Sequence, residues 1–142
     1  MRPLALAAAV FVVGCGDDGS GVGGGASTVT FARIDEEILK PNCTFACHSG
    51  GEFAAGGLDL EIEPLAALIE QNATAAVCAG GGQRVVPFEP EASLLYLKVV
   101  AKLEGDAAPC GDAMPPPGAS EPALPEEQVE LIREWIEAGA PE

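Results

Sequence analysis

The chain has 142 residues, with 7 Lys and Arg against 22 Asp and Glu, giving a formal net charge of −15 at pH 7. That sign excludes a protein that grips nucleic acid, whose phosphates demand cations, and a basic helix lying on an anionic bilayer surface. Aromatic residues make up 5% of the chain, so most apolar burial falls to Ala, Val and Leu, each of which removes modest area from water.

At the N-terminus, Arg2 precedes an uninterrupted apolar run over residues 4–13. The run is shorter than the roughly 20 residues that span a bilayer. Val12-Val13-Gly14-Cys15 gives the small-residue approach to a cysteine of a bacterial lipoprotein signal. The reading is that residues 1–14 are a signal peptide and Cys15 is lipidated, so that the acyl chains anchor the protein to the bilayer without spanning it. This locates it in the cell envelope, facing the periplasm or the cell surface. Residues 15–27 then form the lipidated start and a Gly/Ser-rich tether with too little apolar surface to order itself. Residues 28–142 have the length of one small domain.

Within that domain four helices are predicted. Residues 31–39 place Phe31, Ile34, Ile38 and Leu39 at helical spacing, and Pro41 is expected to stop the run. Residues 63–71 carry Leu65, Leu68 and Ile69, and residues 91–103 carry Leu94, Leu95, Val99 and Leu103 behind Pro90. Residues 126–138 form the clearest helix. Pro125 stands at its start, Glu126 and Glu127 complement the helix dipole, Val129, Ile132, Trp135 and Ile136 form one stripe, and Gly139 ends it. No convincing alternating strand pattern appears, and the connections are rich in Gly and Pro. The expectation is an all-α domain of about four short helices with long Gly/Pro-rich loops. Loops of that length need an agent that orders them, such as a covalent macrocycle or a disulfide.

Cys43-Thr44-Phe45-Ala46-Cys47-His48 contains the only histidine of the chain. Covalent haem attachment uses Cys-x-x-Cys-His, and this segment has one residue more between its cysteines. In that chemistry Cys43 and Cys47 bond covalently to haem and His48 becomes an axial ligand of the iron. The competing reading is a small Cys43–Cys47 disulfide in a haem-free module with a binding or structural role in the envelope. With Cys15 lipidated, four cysteines remain, and both schemes leave Cys78 and Cys110 to pair structurally. Met114 is the only methionine besides the initiator and precedes three prolines. A thioether is a suitable soft ligand for haem iron, and Pro115 biases Met114 toward extended backbone; the commonest use of Met is to fill a gap in a core. A lone His with no hydroxyl–base constellation offers no catalytic set, so an enzyme is not expected. Zinc is disfavoured because Cys47 and His48, as sequence neighbours, point apart.

Gly57-Leu58-Asp59-Leu60, Val86-Pro87 with Pro90, Ser93-Leu94-Leu95-Tyr96, Met114-Pro115-Pro116 and Trp135-Ile136-Glu137-Ala138-Gly139-Ala140 follow the Cys–His motif in order. In this the chain resembles small secreted cytochrome c-like domains, notably the planctomycete-type cytochrome c domain, over roughly residues 29–140. The resemblance implies a helical cytochrome c fold, one covalent haem c held through Cys43 and Cys47, His48 as proximal and Met114 as distal ligand, and one-electron transfer to a redox partner protein that the acidic surface would favour as basic. Two departures stand out. The cysteine spacing is longer by one, and Phe88 occupies a position where the family has Gly, which concerns a turn and not a ligand.

Overall fold

The computed structural model describes residues 29–142; the expected signal peptide, lipidated Cys15 and tether lie outside the described residues. The fold is all-α. Helix α1 (Phe31–Ile34) runs directly into a π-helical stretch, Asp35–Thr44. Two 3₁₀ turns, Gly51–Phe53 and Ala55–Gly57, lead to α2 (Pro64–Leu68). Further turns at Ala76–Cys78 and Pro90–Ala92 precede α3 (Leu94–Glu104), and α4 (Glu126–Glu137) completes the chain. Among the described residues β-pairing is confined to isolated bridges, Ile69 with Val85 and Asn72 with Gln83, and no helix is long and apolar enough to cross a membrane.

Helix α4 is the organiser and packs on both α1 and α3. Its buried stripe is Val129, Leu131, Ile132, Trp135 and Ile136. Trp135 is fully buried, with its ring centroid 5.6 Å from that of Phe31 on α1. The Pro141 carbonyl accepts two hydrogen bonds, from Trp135 Nε1 at 2.9 Å and from the Phe31 backbone N–H at 2.9 Å, which joins the two ends of the domain. Ile34, Ile38, Leu39, Leu68, Val85 and Val99 complete the core around this pair. Gly139 (φ +93°) ends the helix as expected. A Cβ there would also lie 2.5 Å from the Phe88 ring. Phe88 itself has φ +70°, a left-handed conformation that glycine adopts most readily.

Three predicted elements are corrected. Pro41 does not stop the first helix, which passes through it to Thr44. Proline lacks a backbone N–H and its ring crowds the preceding turn; here Gln128 Nε2 of α4 donates to Glu37 O (3.3 Å) and holds the stretch from outside. Asn42 Nδ2 and Thr44 Oγ1 donate to the carbonyls of Ile38 and Leu39. Side chains thus cap three carbonyls of the wider turn. The second helix is limited to Pro64–Leu68 because Glu63 (φ +49°) and Glu70 (φ +54°) turn the chain on either side and Ile69 becomes extended to meet Val85. The third begins at Leu94, not residue 91, because the buried Ser93 is extended. Its Oγ accepts from Val86 N–H (2.8 Å) and donates to Glu89 O (2.9 Å), tying down the preceding loop.

Cys78 and Cys110 form a disulfide across 32 residues of sequence. Replacing both by Ser should lower stability by roughly 3 to 4 kcal/mol on the loop-closure model, seen as a lower urea midpoint; an unchanged midpoint would show that the loop is held by other contacts. Trp135→Ala should remove about 3 to 5 kcal/mol, read from the same titration.

Candidate functional site

The loops enclose a cavity of about 390 Å³, within the range of small-molecule and cofactor sites. Its wall is mainly aliphatic, with Leu39, Leu58, Leu68 and Val99 among the contributors, and His48, Cys43 and Met114 line it too. A second, smaller space is lined by Cys43, Cys47, His48 and Met114 together. The four residues singled out in the sequence thus converge on adjoining voids, although Met114 comes from a separate loop 66 positions beyond His48. Cys78 also lines the large cavity, where its disulfide links two wall segments. Cys43 and Cys47 are free thiols, not bonded to one another.

The extra residue of the cysteine motif is absorbed in the backbone. His48 N–H donates to the Cys43 carbonyl at 3.0 Å, an i to i+5 bond that closes a π-type turn. A π turn is an α turn with one residue inserted. His48 therefore follows Cys43 by a single helical turn in spite of the longer spacing.

His48 is then fixed from the Gly57-Leu58-Asp59-Leu60 segment. Its Nδ1 lies 3.2 Å from the Leu58 carbonyl; because a carbonyl only accepts, Nδ1 carries the proton and Nε2 of the neutral ring is bare. Leu60 N–H donates to the His48 carbonyl at 2.7 Å. Asp59 accepts from Gly51 N–H (2.7 Å) and Glu61 N–H (2.8 Å), closing the loop after the histidine. Burial lowers the proton affinity of His48, outweighing the opposite pull of hydrogen bonds to the Leu58 and Ala55 backbone, so the ring is neutral at pH 7, the form that ligates metals. Met114 is half-buried against the core, and its N–H donates to Lys98 O of α3 at 3.0 Å. The bond from Met114 to Pro115 is cis.

Two further wall residues escaped the sequence reading. Arg84 and Lys98 both face this cavity. The Val86-Pro87 pair of the resemblance begins two residues beyond Arg84, and only its position there hinted at a role. Among the described residues no three His, Cys, Asp or Glu side chains converge to hold a bare metal ion. Comparison with known protein families, curated proteins and solved structures gives no match.

Burial, and after it the neighbouring Cys47, raises the Cys43 thiol to about 11. In the haem-free, reduced chain at pH 8, Cys43 should therefore alkylate with iodoacetamide about a hundredfold more slowly than a thiol of ordinary acidity, measured by peptide mass spectrometry over time. Labelling at the rate of free cysteine would contradict the burial of this side chain.

Proposed function

We propose that the chain is a cytochrome c-like electron carrier that binds one covalent haem c through Cys43 and Cys47, with His48 and Met114 as axial ligands. It would be anchored through Cys15 to a bacterial envelope membrane. The observation that carries this reading is the convergence of Cys43, Cys47, His48 and Met114, from two distant parts of the chain, on adjoining voids beside an apolar cavity. When bound, haem supplies a one-electron ferric/ferrous couple.

The residues suit that role individually. Leu58 O orients the imidazole through Nδ1 and leaves Nε2 for the iron, the usual arrangement for a metal-bound histidine. Met114 needs no deprotonation to ligate, and its soft sulfur raises the potential relative to a second imidazole. Burial disfavours a Cys43 thiolate and is compatible with a neutral thioether. The aliphatic wall excludes water. With His48 nitrogen and Met114 sulfur both given to the iron, no position would be left for oxygen or substrate, which favours carriage of electrons over catalysis. The acidic chain suits a basic redox partner.

Production of the mature chain in an oxidising compartment with haem-maturation machinery should give a covalent haem mass and a c-type absorption spectrum. Met114→Ala should then abolish the sulfur-to-iron absorption feature and lower the potential, while an unchanged spectrum would remove Met114 as a ligand. A colourless product whose four domain cysteines form two disulfides would end the haem reading and favour the haem-free envelope module.

A further inference from the structure

Cations are scarce in this chain, and three of the six among the described residues are neutralised by carboxylates. Arg33 pairs with Glu37, Lys40 with Asp35, and Arg133 with both Glu130 and Glu137. Arg84, Lys98 and Lys102 form no ion pair among the described residues, although the chain carries 22 acidic side chains, and of these three Arg84 and Lys98 line the apolar cavity. Neutral groups hold them there. Arg84 Nη1 donates to Ala67 O (2.9 Å), and Nη2 donates to Gly57 O (2.9 Å) and Thr74 Oγ1 (3.2 Å). A guanidinium has five N–H donors, so its Nε–H and one Nη1–H remain. Lys98 Nζ donates to the carbonyls of Cys110 and Asp112, leaving one of its three donors. Both side chains are partly buried, and that burial disfavours their charged forms. The one carboxylate residue on the wall, Asp112, acts on Lys98 and not on Arg84.

A partly desolvated charge is stabilised chiefly by an opposite charge, and each donor left on Arg84 and Lys98 can make a charge-assisted hydrogen bond to a carboxylate. We propose that the cavity takes an apolar ligand bearing carboxylates, and that Arg84, with Lys98, receives them. This deepens the haem reading and rests on it: the groups received are then the two propionates of the ring. Arg84 is already tied to residues 57, 67 and 74 by its other donors, so little side-chain freedom remains to be lost when the anion arrives.

The test uses the mature chain made with haem-maturation machinery, as wild type, Arg84→Gln, Arg84→Lys and Lys98→Gln. If the product carries haem, the ferric-to-ferrous ratio is measured at one fixed applied potential from pH 5 to pH 8. A carboxylate beside a fixed cation stays ionised throughout that range, so wild type should change by less than twofold. Arg84→Gln lets the carboxylate take up a proton toward pH 5, and the ratio should rise several-fold between pH 5 and pH 8; Arg84→Lys, which keeps the charge, should restore the flat response. The other titratable side chains on the wall are Lys98, Asp112, His48 and Cys43, and Lys98→Gln reports on the Asp112 side. It should give a several-fold change of its own, and it decides the matter if Arg84→Gln does not fold. Responses of the folded variants that superimpose on wild type would overturn the proposal and leave the haem reading intact. If the product is colourless, the haem reading fails, and binding of anionic 1-anilinonaphthalene-8-sulfonate is compared with that of uncharged N-phenyl-1-naphthylamine. A loss of about tenfold for the anion alone in Arg84→Gln or Lys98→Gln supports the anion site, whereas equal effects on both probes overturn it.

Discussion

The domain hangs from the Pro141 carbonyl, which accepts from the Phe31 backbone and the Trp135 indole at once. Each of those bonds contributes on the order of 1 kcal/mol net, whereas burying the two aromatic side chains contributes several. Burial therefore supplies most of the stability, and the hydrogen bonds fix how the chain ends lie against one another. With Phe31 set against α4, the helical stretch that follows has its direction fixed, and Gln128 secures it again at the Glu37 carbonyl. Cys43 and His48 stand at the far end of that stretch. Their position is thus determined by residues near both ends of the described chain.

The cavity is made differently. Its walls are largely loop, and a loop residue held in one conformation costs about 1 to 2 kcal/mol in backbone entropy. The ordering comes from a few side chains that reach across sequence: the Cys78–Cys110 bridge, Ser93 on the loop before α3, Asp59 on the turn after His48, and Arg84 on three segments. The disulfide does this covalently, and Ser93, Asp59 and Arg84 do what a strand would do in another fold, satisfying backbone groups that regular structure does not. The outcome is an apolar space bounded by polar fasteners.

Periodicity revealed α4 in full, because its stripe, its acidic first turn and its terminal glycine all agree. The ends of α2 and α3 were less legible. They depend on Ile69 meeting Val85 and on Ser93 bonding backward, contacts with no local sequence signal. Proline was read too literally at position 41, since Gln128, which binds the same helical stretch at the Glu37 carbonyl, lies 91 positions beyond Glu37. The parity of the cysteines anticipated the disulfide, and uniqueness singled out His48 and Met114. The Leu58 carbonyl could not be read as a partner of His48 because backbone atoms carry no residue identity; only the surrounding Gly-Leu-Asp-Leu pattern marked the place. Arg84 stayed hidden because a cation draws notice through its neighbours, and here these are neutral oxygens.

The π turn between Cys43 and His48 has a bearing on how such chains are recognised. Counting along a sequence measures contour length, whereas the chemistry of two side chains depends on the angle and rise between them. A turn that takes up an additional residue changes the first quantity while largely preserving the second. A search written as a fixed string would pass over this segment; one written in helical turns, with the insertion permitted wherever a nearby proline has already loosened the ladder, would find it.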